Sequence, residues 1–264
     1  MNLAHIRDTA VDIVAEARSG ILSHVEAGFS FEKKADNSFV TAADLDAERL
    51  IRRRLAEHFP DHGIVGEEFD AAASQGAYTW VIDPIDGTHS FRHGIPLYGT
   101  MLALLDGDTP IVSVIDLAGI GRCYAAAKGH GSTCNGRPIR LSDLSGDQKI
   151  EDEVIALGER KQFVSCGLER VYDTLMTGHA HARTYCDCFG HALAAEGSAG
   201  AMVDYNIRIW DSVASVLLVE EAGGRAVCVG TRGEGTEKRY DWVFGKPAMV
   251  AWVMETCGME QIAA

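Results

Sequence analysis

Basic residues are scarce in this sequence. Its 264 residues include 24 Lys and Arg against 38 Asp and Glu, which gives a formal net charge of −14. Such a charge repels nucleic-acid backbones and anionic membrane surfaces, so we expect neither as a partner. A small phosphate ester needs a local cation or a backbone dipole to bind here.

Paired cysteine motifs and a leading apolar run are also missing. The seven cysteines are scattered, odd in number and without a C-x-x-C pair, which favours reduced and mostly buried thiols. The N-terminal segment carries Asp8, Asp12 and Glu16 among its apolar residues, unlike a signal peptide or a membrane span. We therefore expect a cytoplasmic protein.

Helical and strand patterns are both present in the first half. Hydrophobic residues make up 47% of the chain, enough for a sizeable core. Apolar residues at helical spacing predict a helix over 3–25. Thr41 and Asp44 resemble a capping box that opens a second helix, which Pro60 ends. Short apolar runs on both sides of residues 106–108 predict a hairpin and an antiparallel sheet.

The second half alternates strands and helices. VIAL and AMVDYN predict strands, whereas GLERVYDTLM, CFGHALAAEG and WDSVASVLLVEEAGG predict helices. The polar stretch SDLSGDQKIEDE has no periodicity, so we place a domain boundary there. We predict an N-terminal α+β domain over 1–142 and a C-terminal α/β domain over 143–264, within an α+β fold of interleaved layers.

Several acidic residues stand where an apolar element meets a turn: Asp44, Glu67, Asp83, Asp86 and Asp211. Taken singly, an aspartate in the first turn of a helix is usually a cap, and a D-P-x-D-G turn is usually structural. If the acids converge, two carboxylates about 4 Å apart repel by roughly 4 kcal/mol at an effective dielectric near 20. The cluster then takes up protons or holds a hard cation, and oxygen ligands suit Mg²⁺.

The ten histidines do not offer a convincing zinc site. His89 and His93 are four residues apart, and His179 and His181 flank one residue. Zinc requires a third ligand placed with such a pair. We expect these histidines to be exposed or to cap helices.

Gly87 and Thr88 follow the second aspartate of the pair. If a helix starts here, its free amides can bind a phosphate beside the cation, and glycine lets the ester approach the backbone closely. The Thr88 hydroxyl can then orient a water, with Asp44 fixing that hydroxyl. Such a reaction needs no serine, cysteine or lysine nucleophile.

Four sequence blocks resemble the inositol monophosphatase superfamily of metal-dependent, lithium-sensitive phosphatases. They are K-x-D-x-S-x-V-T-x-x-D at Lys34 to Asp44, G-E-E at Gly66 to Glu68, W-V-I-D-P-I-D-G-T-x-x-F at Trp80 to Phe91, and W-D followed by E-A-G-G at Trp210 to Gly224. The resemblance implies an αβαβα layered sandwich of the inositol monophosphatase and fructose bisphosphatase type. It also implies a homodimer that hydrolyses a phosphomonoester with Mg²⁺. Mn²⁺ would substitute for Mg²⁺, and Li⁺ would inhibit the enzyme.

The resemblance also implies a set of metal ligands. Glu67, Asp83 and the carbonyl of Ile85 would hold one ion. Asp83, Asp86 and Asp211 would hold a second, and Glu67 would help with a more weakly held third.

Catalytic and phosphate-binding roles follow from the same resemblance. Thr88 and Asp44 would activate the attacking water, with Glu67 part of the catalytic group. The amides of Gly87 and Thr88, next to Asp86, would receive the phosphate. In-line attack would then expel the alcohol without a covalent phosphoenzyme.

The second half points to a substrate. The block R-x-x-x-D-C-F at Arg183 to Phe189 resembles the histidinol-phosphate phosphatase branch of the superfamily. Asp187 and Asp204 would then grip the cationic amine or imidazole of the substrate. Asp204 stands where that branch commonly has a glutamate. Three roles stay open for Arg208: it could repel a cationic substrate, bind a second anionic group, or lie on a surface loop.

Two other interpretations stay open. The same chemistry could act on inositol 1-phosphate or on a broad set of sugar phosphates. The chain could also be a catalytically idle scaffold, against which the complete set of acids and Thr88 argues.

Overall fold

The structure, a computed structural model, describes residues 1–27, 31–33, 39–144 and 148–263. Lys34 to Ser38 of the first motif block and residues 145–147 of the polar stretch lie outside these ranges. Within them, the α-helices are α1 Leu3–Ala27, α2 Ala42–His58, α3 Thr88–Arg92, α4 Arg160–Ser165, α5 Glu169–Gly178, α6 Asp187–Glu196, α7 Ile209–Glu221 and α8 Pro247–Cys257.

The strands form three sheets. A short antiparallel pair joins β1 Phe31–Lys33 and β2 Phe39–Thr41. A seven-stranded sheet runs in sequence order through β3 Gly63–Gly66, β4 Tyr78–Asp86, β5 Gly99–Asp106, β6 Thr109–Leu117, β7 Arg122–Ala127, β8 Ser132–Cys134 and β9 Arg137–Ile139. A five-stranded sheet contains β10 Ile155–Leu157, β11 Ala182–Thr184, β12 Ala201–Ile207, β13 Arg225–Arg232 and β14 Arg239–Gly245. Its strands lie in the order β11-β10-β12-β14-β13.

Helices and sheets alternate in five layers. The outer helices α1 and α2 pack on one face of the seven-stranded sheet, and its other face packs on α6 and α7. The same two helices contact the five-stranded sheet through Met202 and Phe244, and α4, α5 and α8 cover the far side of that sheet. This arrangement confirms the predicted α+β fold of the αβαβα type. In the described part of the chain, no helix combines the length and apolar character that a bilayer crossing requires.

The best predicted elements are those with a clear local signal. Helix α1 buries Ile6, Ile13 and Ile21 along one stripe, as the helical spacing indicated. Thr41 caps α2 through its hydroxyl, completing the predicted capping box. Strands β5 and β6 pair around a two-residue turn in which Gly107 has φ of 59°, a backbone region open to glycine at little cost.

A charged pair ties α1 to the seven-stranded sheet. The Asp116 side chain on β6 is fully buried, and its oxygens accept hydrogen bonds from Nε and Nη2 of Arg18, the first at 2.7 Å. Burial raises the pKa of Asp116, whereas the Arg18 hydrogen bonds lower it. The arginine therefore keeps a carboxylate in the core that would otherwise be uncompensated.

Replacement of Arg18 by Met should leave that buried carboxylate without its partner. We expect a loss of about 3 kcal/mol in the free energy of unfolding, measured by urea titration at pH 7. Adding Asp116→Leu to the same chain should recover most of the loss, because both charges are then absent. An Arg18→Met protein as stable as the wild type would show that the pair does not anchor the helix.

Candidate active site

A bulge in β4 turns two aspartates to the same side of the sheet. Residues three apart on a regular strand face opposite sides. Asp83 pairs with Met101 on β5 and Asp86 pairs with Gly99, so β4 has one extra residue between them. The segment predicted as a turn is thus a bulged strand. Pro84 lies in the bulge, where its missing N–H costs no ladder bond, and its carbonyl accepts from the Thr100 hydroxyl at 2.8 Å.

The two strand aspartates meet a third on the central helix layer. One oxygen each of Asp83, Asp86 and Asp211 lie within 4.8 Å of one another, and among the described residues this is the group whose spacing suits a metal ion. Asp211 lies in the first turn of α7, where its Oδ2 also accepts from the backbone N–H of Arg208 at 2.7 Å. It is therefore both the cap that its position indicated and a member of the acidic group.

Burial and mutual repulsion raise the pKa of each of these acids. For Asp83 burial is the largest cause, followed by the charges of Glu67, Asp86 and Asp211. Burial also leads for Asp86, with Asp187 next. The pKa of Asp211 is raised to about 6 by burial and by Glu67. The three carboxylates are thus poorly stabilised as anions by the protein alone.

Glu67 lies directly beyond β3, and the next residue along the chain is bonded to a buried glutamate of α2. The backbone N–H of Glu67 donates to the Ile82 carbonyl at 3.2 Å. Glu48 of α2 is fully buried, accepts from the backbone N–H of Glu68 at 2.9 Å and pairs with Arg52 at 2.7 Å. Sequence reasoning missed Glu48, although its place in the buried stripe of α2 was a usable signal.

Asp44 and Thr88 have separate partners in this structure. Asp44 Oδ2 accepts from the backbone N–H of Thr41 at 2.8 Å and from the Thr41 hydroxyl. The pKa of Asp44 is raised to about 6 as the net result of three effects: burial, the largest, and the charge of Glu67 raise it, and the Thr41 hydrogen bonds lower it. The Thr88 hydroxyl donates to the Ile85 carbonyl at 3.0 Å. The expected pairing of Asp44 with Thr88 stays a prediction.

Asp187 lies next to the turn that begins α3. A Cβ added to Gly87, whose φ is 81°, would lie 2.9 Å from the Leu97 carbonyl oxygen and 3.2 Å from Asp187 Oδ2. This space is open only because residue 87 is glycine. Burial raises the pKa of Asp187 to about 7, with the charge of Asp204 next in importance. Helix α6 is joined to the site by the Cys188 N–H, which donates to Asp86.

Asp204 and Arg208 both have partners within the protein. The Asp204 side chain on β12 is buried, and its oxygens accept from His191 Nε2 at 3.1 Å and from the Tyr205 N–H at 3.0 Å. Arg208 forms an ion pair with Glu237 at 2.7 Å and lies over the Trp210 ring. Its guanidinium therefore has a partner within the protein, and the roles weighed for it at the pocket stay predictions.

The two histidine pairs do not form a zinc site in the described residues. His89 and His93 are exposed, and their rings are 4.8 Å apart between centroids. His179 follows the last turn of α5, and its Nε2 is 2.9 Å from the Ile150 carbonyl oxygen. His89 and His93 are exposed as expected, whereas His179 is buried and its side chain bonds a backbone carbonyl, so the expectation is wrong for His179.

The acidic group fits a divalent cation on two grounds. Within the described part of the chain, the buried Oδ1 of Asp83 has no hydrogen-bond donor. Carboxylate oxygens at this spacing are a hard donor set, suited to Mg²⁺ or a similar ion and unsuited to a soft metal. An ion would supply the positive charge that the surrounding protein does not.

Comparison with known proteins agrees with this fold. The sequence profile of the inositol monophosphatase family matches residues 2–252, so the chain belongs to the inositol monophosphatase family. Membership in a phosphatase family supports phosphoric monoester hydrolysis as its class of reaction.

Two relatives and one solved structure show how similar this chain is to known proteins. A histidinol-phosphatase of Chlorobaculum parvum is 38% identical over 200 residues, which cover 76% of this chain and 75% of that protein. A fructose-1,6-bisphosphatase/inositol-1-monophosphatase of Aquifex aeolicus is 29% identical over 204 residues, 76% of each protein. The solved inositol monophosphatase of an Anabaena (Nostoc) species is 24% identical, with a TM-score of 0.82 over 99% of both chains, which shows the shared fold.

The raised pKa values predict a pH-dependent stability for the metal-free protein. A carboxyl whose pKa is raised in the folded state favours folding below its unfolded pKa of about 4, and this contribution is lost as pH rises through the folded pKa. For Asp44 and Asp211 that folded value is about 6. We expect the Tm of chelated protein to fall by at least about 4 °C between pH 5 and pH 8.

Added Mg²⁺ should raise Tm more at pH 8 than at pH 5, because proton uptake competes with cation binding. In Asp83→Asn the metal-free protein should be more stable at pH 8 and the Mg²⁺ effect should shrink. Differential scanning calorimetry measures both quantities. An equal Mg²⁺ shift at both pH values would contradict the electrostatic interpretation.

Proposed function

We propose that this protein is a Mg²⁺-dependent phosphatase for histidinol phosphate, an ester whose alcohol carries cationic groups. One observation carries the proposal: Asp187 Oδ2 lies beside Gly87, at the end of the strand that presents Asp83 and Asp86. A phosphate next to the acidic group would place its alcohol within reach of Asp187. The 38% identity to a histidinol-phosphatase supports the same substrate.

The phosphate end of the site would be built from α3 and the acids before it. Asp83, Asp86 and Asp211 would hold Mg²⁺, with Glu67 and the Ile85 carbonyl as further ligands. The bound ion polarises the phosphoryl oxygens and neutralises charge on the attacking and leaving oxygens. The amides of Gly87 and Thr88 would receive the phosphate, since a glycine at 87 places no Cβ over its own backbone.

Asp44 and Thr88 would move the proton of the attacking water. A general base works best when its pKa lies near the working pH, and burial raises that of Asp44 to about 6. For this role the Thr88 hydroxyl has to leave the Ile85 carbonyl and accept the water proton. Asp44 would then accept the hydroxyl proton of Thr88 in place of that of Thr41.

Negative charge at Asp187 and Asp204 would select the alcohol part of the substrate. Asp187 is half-buried, and its nearest strong electrostatic neighbours Asp204 and Glu159 are also acids. A cationic alcohol relieves this repulsion, whereas a neutral polyol does not. Asp204 would act from beneath the surface, because its carboxylate is buried and bonded to His191.

Inositol 1-phosphate is the second candidate substrate. The relative from Aquifex aeolicus and the family name both favour it. With a pKa of about 7, Asp187 is partly protonated near neutral pH and can then donate a hydrogen bond to a hydroxyl. Sugar phosphates are accommodated in the same way.

Further parts of the proposal rest on the family resemblance. Mn²⁺ would substitute for Mg²⁺, and Li⁺ would inhibit. The protein would be a homodimer, and its substrate would place it in histidine biosynthesis. The cysteine pattern and the N-terminal segment support a cytoplasmic protein, and the polar stretch SDLSGDQKIEDE supports domains over 1–142 and 143–264.

Asp83→Asn tests the metal chemistry. Loss of one ligand charge should lower kcat/KM for histidinol phosphate at least about 100-fold, as should chelation of the wild type. Asp70→Asn, which removes an exposed acid just after the G-E-E block, is the matched control and should retain activity. Near-normal turnover by Asp83→Asn, or by exhaustively chelated wild type, would show that the acidic group is not a catalytic metal site.

Asp187→Asn tests the substrate. At pH 8 the ratio of kcat/KM for histidinol phosphate to that for inositol 1-phosphate should fall about tenfold, through a higher KM for the cationic ester. Asp108→Asn removes one charge at the opposite end of the β4–β5 pair and should leave the ratio unchanged. A wild type that prefers inositol 1-phosphate would instead support the second candidate.

A further inference from the structure

His191 joins Asp204 to Ser215 in a buried hydrogen-bonded chain. Its Nε2 lies 3.1 Å from Asp204 Oδ2, and its Nδ1 lies 2.8 Å from Ser215 Oγ. The three residues come from α6, β12 and α7, and none is more than 3% exposed. The chain therefore links the central helices to the five-stranded sheet where water does not compete for its hydrogen bonds.

The chemistry of the three groups fixes the direction of the hydrogen bonds. A carboxylate oxygen accepts, so Nε2 of His191 is assigned as the donor to Asp204. Nδ1 then accepts from the Ser215 hydroxyl. Asp204 Oδ1 meanwhile accepts from the Tyr205 N–H at 3.0 Å. Both oxygens of the buried carboxylate thus have a hydrogen-bond donor, and neither is left unsatisfied.

Close packing leaves the carboxylate and the imidazole one arrangement. A Cβ on Gly158 would collide with Asp204 Oδ1, and a Cβ on Gly190 would collide with the Tyr185 carbonyl oxygen. Helix α6 therefore lies close to β12, with the His191 ring 5.1 Å from that of Phe244. The Asp204 side chain therefore cannot rotate toward another partner unless the backbone at Gly158 or the His191 ring moves.

Asp204 acts on Asp187 through its charge. After burial, Asp204 is the largest contributor to the raised pKa of Asp187, ahead of Glu159 and Asp211. The two acids therefore form one negative region, although only Asp187 reaches the space over Gly87. A partner that holds the Asp204 carboxylate in place therefore also fixes its charge relative to Asp187.

We infer that His191 is a positioning residue for substrate selection. It holds the buried Asp204 carboxylate in a fixed place near Asp187, so that both acids favour phosphate esters of cationic alcohols over esters of neutral polyols. The inference rests on the proposed function, and it assigns selectivity to a residue that does not touch the substrate.

The test compares two substitutions of one side chain. His191→Phe keeps a ring against Phe244 but removes both hydrogen bonds, whereas His191→Gln can still donate to Asp204 and accept from Ser215. At pH 8, His191→Phe should lower the histidinol phosphate to inositol 1-phosphate ratio of kcat/KM about tenfold, mainly through KM for the cationic ester. His191→Gln should restore most of the ratio. If the Phe protein does not fold, His191→Asn replaces it, because its shorter amide reaches Ser215 but not Asp204.

His179→Phe is the matched control. His179 is also buried and is bonded to a backbone carbonyl in the outer layer, away from Asp204. It should leave the ratio unchanged.

The outcomes separate the inference from the proposed function. A wild type that prefers the cationic ester, together with a His191→Phe or His191→Asn protein that keeps this preference, overturns the inference alone. Equal losses on both esters with a lower Tm assign His191 a purely structural role and also overturn it. A wild type without preference for the cationic ester overturns both.

Discussion

Mutual repulsion among buried carboxylates is the constraint on which this site depends. Asp83, Asp86 and Asp211 come from a strand and a helix, yet their oxygens lie within 4.8 Å of one another. Burial is the largest cause of the raised pKa of each, and neighbouring acids add to it. Folding such a group costs free energy unless protons or a cation compensate the charge. Binding of a cation would offset this cost.

The backbone does much of the work of bringing these acids together. Because of the bulge at Pro84, the side chains of Asp83 and Asp86 point to the same side of the sheet. In a regular strand, residues three apart would point to opposite sides. Gly99 permits the partner strand to follow the bulge, since a Cβ there would lie 2.6 Å from the Asp116 carbonyl oxygen. Asp44 and Asp211 are each placed by a helix cap. Local rules that stabilise the fold thus also set the positions of the functional side chains.

The sequence predicted the elements with local signals and the family, but not the packing between distant segments. Helix α1, the capping box of α2 and the β5–β6 hairpin follow from spacing and turn residues. Helix α8, PAMVAWVMETC, is apolar on most faces, so periodicity could not distinguish it from a buried strand. The placement of β14 between β12 and β13 depends on non-local pairing. The hydrogen bond of His191 to Asp204 likewise depends on how α6 packs against β12, which no spacing along the chain reveals.

The same electrostatic problem arises at both ends of the proposed pocket. At one end three acids surround the space for a metal ion, and at the other Asp187 lies among Asp204, Glu159 and Asp211. The acids at each end raise the pKa of those at the other: the charge of Asp187 raises the pKa of Asp86, and the charge of Asp211 raises that of Asp187. A cation bound at either end therefore lowers the cost of ionising the acids at the other. In the proposed function, metal and a cationic alcohol would each relieve part of one shared repulsion, and a neutral polyol would leave the second part in place.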